Sequence, residues 1–283
     1  MSAIELAGGP VSWGVDFADA PDNPPPEVVL DGIAGAGLRW LELGPAGYLP
    51  GGAVLRARGL RAVGTFVFAD FHRAGADAET EAALDAIAGA GGSLLVLIDR
   101  PSPERAATAG RADVAPRLGE ADWRAMLDRL RRAAERAAER GVRAVVHPHA
   151  GGHIEFEDEI ERLLAEIDTV GLCLDTGHAL YAGSDPAALI RRHAARLEHL
   201  HIKDVAGPVR ARGLGFWDAV AAGVFCPAGD GLLDLPALRT ALADAGYRGF
   251  ATIEQDRRPG GAGDPAADLR RSVERVRAAG LAG

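Results

Sequence analysis

The chain has 283 residues, a formal net charge of −9 and 48% hydrophobic residues, which is ample for a large core and fits one α/β barrel of about 250 residues or two small domains. No basic stripe runs along it and no run of apolar residues is long enough to span a bilayer, so neither nucleic acid nor a membrane is an expected partner. Met1–Gly9 lacks the basic and apolar segments of a signal peptide, and two distant cysteines, Cys173 and Cys226, form no disulfide framework; the expectation is a cytoplasmic protein.

In chain order, short apolar runs alternate with amphipathic stretches. The runs are Ile4–Trp13, Arg39–Leu43, Arg61–Phe68, Ser93–Ile98, Arg143–His147, Gly171–Leu174, Leu197–Ile202 and Gly249–Ile253. The helical stretches are Pro26–Ala36, a short one near Gly51–Ala57, Ala78–Ala90, Glu120–Arg140, Glu157–Ile167, Pro186–Ala195, Pro236–Ala245 and Pro265–Ala279. Several units share a junction in which small residues and a glycine close a helix before the next strand. Examples are Ala36-Gly-Leu-Arg-Trp-Leu-Glu42 and Arg140-Gly-Val-Arg-Ala-Val145; glycine there is a left-handed helix cap. Eight such alternations predict a closed parallel (β/α)8 barrel, one domain over 1–283. An open doubly wound sheet would need a glycine-rich phosphate loop after the first strand, and Gly8-Gly-Pro-Val-Ser-Trp13 is not one. Two stretches break the rhythm: Arg100–Gly119 reads as a polar loop, and Val205–Asp234, rich in aromatics, as a short helix and a lid over the barrel mouth. That lid covers its own barrel or a neighbour's, which keeps a homo-oligomer open.

In a barrel of this kind the site forms at the carboxyl ends of the strands. Strand two ends at Glu42. Strand five ends in His147-Pro-His149-Ala-Gly-Gly-His153-Ile-Glu155, strand six in Asp175-Thr-Gly-His178, strand seven in His201-Ile-Lys203-Asp204, and strand eight in Glu254-Gln-Asp256. Five of the eight histidines fall in these tips. Alternation puts His199, His201 and Lys203 on one face of strand seven. Of the 31 lysines and arginines, Lys203 alone is a lysine, so the surface uses arginine and this lysine calls for another explanation. Converging carboxylates and imidazoles are the ligand set of a divalent metal: Mn²⁺ or Co²⁺ first, Mg²⁺ or Zn²⁺ next. Asp175, His201 and Glu254 are the core of that set, suited to a Lewis acid that binds a carbonyl and an adjacent hydroxyl.

The tips resemble the xylose-isomerase-like barrels of sugar isomerases, epimerases and endonuclease IV. Within that superfamily the chain is most similar to the inosose (2-keto-myo-inositol) dehydratase family. The likeness rests on His147 to Ile160, Leu174 to His178, His201 to Asp204, and Ala219 to Phe225 with Gly229-Asp-Gly231. The resemblance implies metal ligands at Asp175, His201 and Glu254, with a fourth at Glu155, which is preferred, or at His147, where many relatives have Glu. It implies acid–base roles for His149, His178 and Lys203. Glu42, His147, Trp13 and Phe225 are the expected substrate contacts. The reaction implied is dehydration of a cyclic polyhydroxy ketone: a histidine, His149 or His178, takes the α-proton and the β-hydroxyl leaves as water. Lys203 beside a divalent cation is expected to lose its proton more easily.

Three rivals and one variant of the lyase reading stand beside it. A keto-sugar isomerase or 3-epimerase would use the same metal but favours carboxylates on strands five and eight, and position 147 is histidine. β-Elimination from a 3-keto-glycoside would differ only in the leaving group. A repair nuclease would need more zinc ligands and a basic groove. A phosphate on the substrate could meet Arg210 and Arg212, although solvated arginines explain these better. A non-catalytic binding protein would have no use for so many polar groups at one mouth.

Overall fold

The computed structural model describes residues 4–74, 76–261 and 263–282. Met1–Ala3, part of the segment read for a signal peptide, and the extreme ends of the 1–283 domain lie outside the described residues. Eight parallel strands close a barrel in sequence order: Ile4–Gly8, Trp40–Glu42, Arg61–Ala69, Leu94–Asp99, Arg143–Val146, Gly171–Asp175, Leu197–Ile202 and Gly249–Ile253. The last strand pairs with the first, Ile4 facing Gly249 and Gly8 facing Ile253. The junction glycines Gly37, Gly59, Gly141 and Gly246 all have positive φ, so the repeated helix-to-strand phrase is a set of left-handed helix ends.

The period-two pattern of the strands sorts the side chains. Leu41, Ala144, Val146, Leu172, Leu174, Leu200, Ile202, Ala251 and Ile253 point outward into one continuous layer beneath the helices. The long helix Glu120–Glu139 meets this layer with Trp123, Met126, Leu127, Leu130, Ala133, Ala134 and Ala137, a helical stripe of period 3.6. Inside the barrel, Ala7, Val63, Leu94, Val96, Ile98, Val145 and Cys173 form a smaller apolar plug. Trp40 and Phe250 meet edge to face, ring centroids 4.8 Å apart, and pack against that plug. Above the plug the inward positions turn polar.

Three expected boundaries differ. The first strand stops at Gly8, and Pro10–Trp13 is a 3₁₀ turn closed by Gly14 at φ 81°. Pro10 has no N–H to give a strand ladder, so the apolar run breaks there. In Arg100–Gly119, read as loop, Pro103–Thr108 is helical, with Ser102 Oγ accepting the Arg105 N–H. The strand-six tip also winds directly into a helix, Thr176–Ala182, capped by Asp175.

Segment 205–234 holds a short helix, Gly207–Arg210, and a second, Phe216–Ala221, then returns through Phe225–Cys226 to pair antiparallel with Asp204–Val205. Phe216, Ala219, Val220, Val224 and Phe225 pack with Ala106, Ala109, Ala150 and Tyr181 in an apolar cluster of their own. Asp204 holds this segment in place. Its Oδ1 accepts from Val205 and Leu233 N–H (2.7 and 2.8 Å), and its Oδ2 from Gly229 and Gly231 N–H (2.8 and 2.9 Å). A side chain at 231 would strike the Val205 carbonyl at 2.2 Å, which accounts for the second glycine of Gly229-Asp-Gly231.

Candidate metal and acid–base site

Strand geometry brings one donor from each of four consecutive strand ends to one point. His147, Asp175, His201 and Glu254 are all buried, and one ligand atom from each lies within 4.8 Å of the others. Asp175 Oδ2 is 3.5 Å from His147 Nε2 and 3.7 Å from His201 Nδ1, while His201 Nδ1 is 2.9 Å from Glu254 Oε1. Asp175 Oδ2 and His201 Nδ1 are fully enclosed and have no hydrogen-bond partner. Orphaned buried acceptors are costly, and a cation would satisfy them together. The two-nitrogen, two-oxygen donor set suits a divalent first-row metal.

The layer below aims His201. Glu42, at the end of strand two, crosses the barrel and accepts three hydrogen bonds on Oε1. They come from His199 Nε2–H (2.7 Å), His201 Nε2–H (2.8 Å) and the Thr252 hydroxyl (2.6 Å). Burial would raise the Glu42 carboxyl, but His201 and His199 outweigh it and hold the group well below the carboxylate range. A carboxylate behind an imidazole fixes the ring and directs its other nitrogen forward. Glu42 is thus enclosed beneath the cluster rather than presented to substrate, which corrects its expected role.

Lys203 is wedged beside the donors, with Nζ 3.3 Å from Asp175 Oδ2, 3.0 Å from Glu254 Oε1 and 2.6 Å from Asp256 Oδ1. Burial disfavours its charge. Asp175, Asp256 and Glu254 outweigh that and raise the ammonium well above the ordinary lysine value. The motifs of strands six and seven interlock around it. The Thr176 hydroxyl donates to the Lys203 carbonyl (2.6 Å) and accepts the Lys203 N–H (2.9 Å). Gly177 leaves room for the lysine stem, since a Cβ there would lie 2.6 Å from Lys203 Cγ.

His149 and His178 stack, ring centroids 3.9 Å apart. Their tautomers follow from Ala150. His149 Nδ1–H donates to the Ala150 carbonyl (2.9 Å), leaving a lone pair on Nε2. His178 Nδ1 accepts the Ala150 N–H (3.2 Å), so the proton of this imidazole sits on Nε2, facing Asp256 Oδ2 at 3.5 Å. Burial, His147 and Lys203 push His149 down to about 3, and burial, His149 and Lys203 push His178 well below its ordinary value; both rings are neutral near pH 7.

His147, His149, His178, His201, Lys203 and Glu254 line one cavity, partly open to solvent, together with Phe66, Phe68, Ile98, Phe216, Trp217 and Val220. Asp16, Asp256 and Arg257 also line it, and the sequence reading assigned none of them a role. Asp256 follows Glu254 by two residues, the inward period of strand eight, and that signal was available. Asp16 comes from an irregular loop with no periodicity. Burial and the neighbouring Asp256 raise its carboxyl to about 7, and burial raises Asp256 to about 6 despite Lys203.

Three further expectations are corrected. Glu155 does not join the cluster: its Oε1 accepts the Gly110 N–H (2.6 Å), and its Oε2 accepts the Gly151 N–H (3.0 Å) and Arg105 (3.3 Å). Those bonds use both oxygens, and His147 occupies the strand-five position. Trp13, carried away by the 3₁₀ turn, packs on Gly32, where a Cβ would sit 2.4 Å from its ring. Phe225 stands behind the site, its ring 5.4 Å from that of His178 and 5.1 Å from Lys203 Nζ, and does not line the cavity.

The rhizopine catabolism protein MocC of Rhizobium meliloti is 34% identical over 273 residues, 92% of this chain and 83% of that one. An inosose dehydratase of Geobacillus thermodenitrificans is 39% identical over 153 residues; the match covers 52% of this chain and only about half, 51%, of the dehydratase. The D-allulose 3-epimerase of Methylomonas sp., solved with D-allulose, superposes with a TM-score of 0.72 at 17% identity over 98% of both chains, a likeness of fold. Residues 52–279 match the family described as xylose isomerase-like TIM barrel, and the chain belongs to that family.

Proposed function

We propose that this chain is a metal-dependent carbon–oxygen lyase of the inosose dehydratase kind, acting on a cyclic polyhydroxy ketone and confined to the cytoplasm. The observation that carries the reading is a four-donor cluster, three of its members lining one cavity, beside a free imidazole lone pair and a lysine held among three carboxylates. His147, Asp175, His201 and Glu254 would hold the ion, manganese or cobalt, which supplies Lewis-acid polarisation of the substrate carbonyl when bound. His149 Nε2 accepts the α-proton; a neutral imidazole with its other nitrogen already donating is set up for this. Lys203, kept charged by its carboxylate neighbours, donates toward the departing β-hydroxyl, and Asp256 holds both Lys203 and His178 in place. Segment 205–234 forms the outer wall through Phe216, Trp217 and Val220, and as a lid it would keep water from the reacting centre.

The relatives support the reading by name: the inosose dehydratase of Geobacillus thermodenitrificans matches over about half of each chain. The test is a substrate screen on metal-stripped protein with Mn²⁺, Co²⁺, Mg²⁺ or Zn²⁺ restored. 2-Keto-myo-inositol, free ketohexoses and a 3-keto-glucoside are the candidates. Metal-dependent dione formation, lost in His149→Ala and Lys203→Ala, is the expected result. An epimerised ketose would replace the lyase by an epimerase on the same site, and a released aglycone would indicate the eliminating variant.

A further inference from the structure

A second histidine cluster lies on the barrel rim, lining a cavity other than that of the four donors. Asp99, the last residue of strand four, is buried, and both its oxygens are shared in the same way. Oδ1 accepts the His72 backbone N–H (3.0 Å) and His72 Nδ1–H (2.9 Å). Oδ2 accepts the His153 backbone N–H (3.1 Å) and His153 Nδ1–H (2.9 Å). The ring centroids are 4.3 Å apart. With Nδ1 donating, each neutral ring carries its lone pair on Nε2. The side chains are only 5% and 8% exposed, and among the described residues neither Nε2 has a hydrogen-bond partner. Both rings line one open cavity, with the carboxylates of Glu104 and Asp122 on the same wall.

We infer that His72 and His153 form a second metal site, taking a divalent transition ion of the zinc or cobalt class through their Nε2 atoms. Asp99 is the shared carboxylate that orients both rings, the arrangement found behind metal-bound imidazoles. Imidazole nitrogen suits these ions, and water, Glu104 or Asp122 completes the coordination. Three arginines share this lining and argue less well for an anion: Arg117 is committed to Glu159 and Asp158, Arg129 to the Phe71 carbonyl, and the charge of Arg73 is met by Glu104. His153 reaches Asp99 because Gly152 has no side chain; a Cβ there would meet the Asp99 carbonyl at 2.6 Å. The ion would staple the loops after strands three and five to strand four, and the second of those loops carries His149.

The experiment is metal analysis after dialysis against zinc, with the full chain. Wild type is expected to hold one more equivalent than a His72→Ala/His153→Ala variant, while His201→Ala loses the other equivalent and keeps this one. Zinc should raise the melting temperature of His201→Ala protein and leave His201→Ala/His153→Ala unchanged. Equal zinc content in wild type and the His72/His153 variant overturns the inference. So does protection of the rim by inorganic phosphate without zinc uptake. Should the double variant fail to fold, wild-type crystals soaked in zinc decide the matter: an anomalous peak between the two imidazoles is expected, and its absence refutes the site.

Discussion

Substituting Gly177 by alanine tests whether the lysine is placed by the backbone around it. The added Cβ would stand 2.6, 2.7 and 2.8 Å from Lys203 Cγ, Cβ and Cδ. These atoms belong to the stem, not to a free end, and the side chain is 1% exposed with three carboxylates on its ammonium, so it has no room to retreat. Overpacking of this kind costs about 1–3 kcal/mol, which lowers the melting temperature by about 2–4 °C for each kcal/mol. Catalysis should suffer more. A displacement of about 1 Å in a positioned group costs roughly 10²-fold in rate. The assay is kcat and KM for dehydration at saturating metal, beside metal content and melting temperature. The expected result is a fall in kcat of about that size with the ion retained. The control is Gly89→Ala, in a helix with nothing within 4 Å of the new methyl, which should stabilise by about 0.5–1 kcal/mol and leave kcat alone. Wild-type kcat and melting temperature in Gly177→Ala would refute the reasoning.

Other outcomes follow from the same geometry. Glu42→Gln removes the charge that aims His201, and metal affinity measured by calorimetry should fall about 10–100-fold; unchanged affinity would show that the ring is held otherwise. The acid limb of kcat/KM, measured at saturating metal, should lie below the ordinary imidazole range, because burial and cationic neighbours depress His149 to about 3: the base gains its proton only at lower pH, so activity persists as pH falls through 6.5. A limb at 6.5 that persists in Asp16→Asn and Asp256→Asn proteins, whose carboxyls otherwise titrate at about 7 and 6, would exclude His149 as the base. Arg105→Ala strands Glu155 and Glu159, whose buried carboxylates it joins, and should cost about 3–5 kcal/mol in denaturant unfolding; a loss under 1 kcal/mol would mean that the pocket floods or repacks.

The barrel was legible because its signals are periodic and repeated. Strand alternation alone places His147, Asp175, His201 and Glu254 inside, and helix-end glycines mark the junctions. What escaped depends on contacts between segments distant in sequence. Glu155 looked like a ligand because a carboxylate eight residues past a strand can reach back; that Arg105 would claim it from 50 residues away left no trace in local pattern. Trp13 looked like a mouth residue because the apolar run continues past Gly8, and Pro10 was the available sign that it does not continue as strand. Glu42 stood at a strand end like the others, yet its carboxyl is taken up by His199 and His201 of strand seven, contacts across 157 and 159 residues that no local pattern announces.

The strand-five phrase shows how one short loop can serve two ends. His147 belongs to the metal cluster and His149 to the imidazole stack, while His153 turns outward to Asp99 and Glu155 to Arg105. The loop closes on itself through His149 N–H to the Ile154 carbonyl and Gly152 N–H to the His149 carbonyl, both 2.9 Å. Its outer half is therefore anchored by charged groups of strand four and of helix Pro103–Thr108, independently of anything bound at the mouth. His149 then need not be held by the ion or by the substrate. Its Nδ1 is fixed by the Ala150 carbonyl, and Ala150 is fixed by a loop that the rim pins down. A base supported in this way keeps its position when the mouth is empty, which lowers the cost of organising it for each turnover.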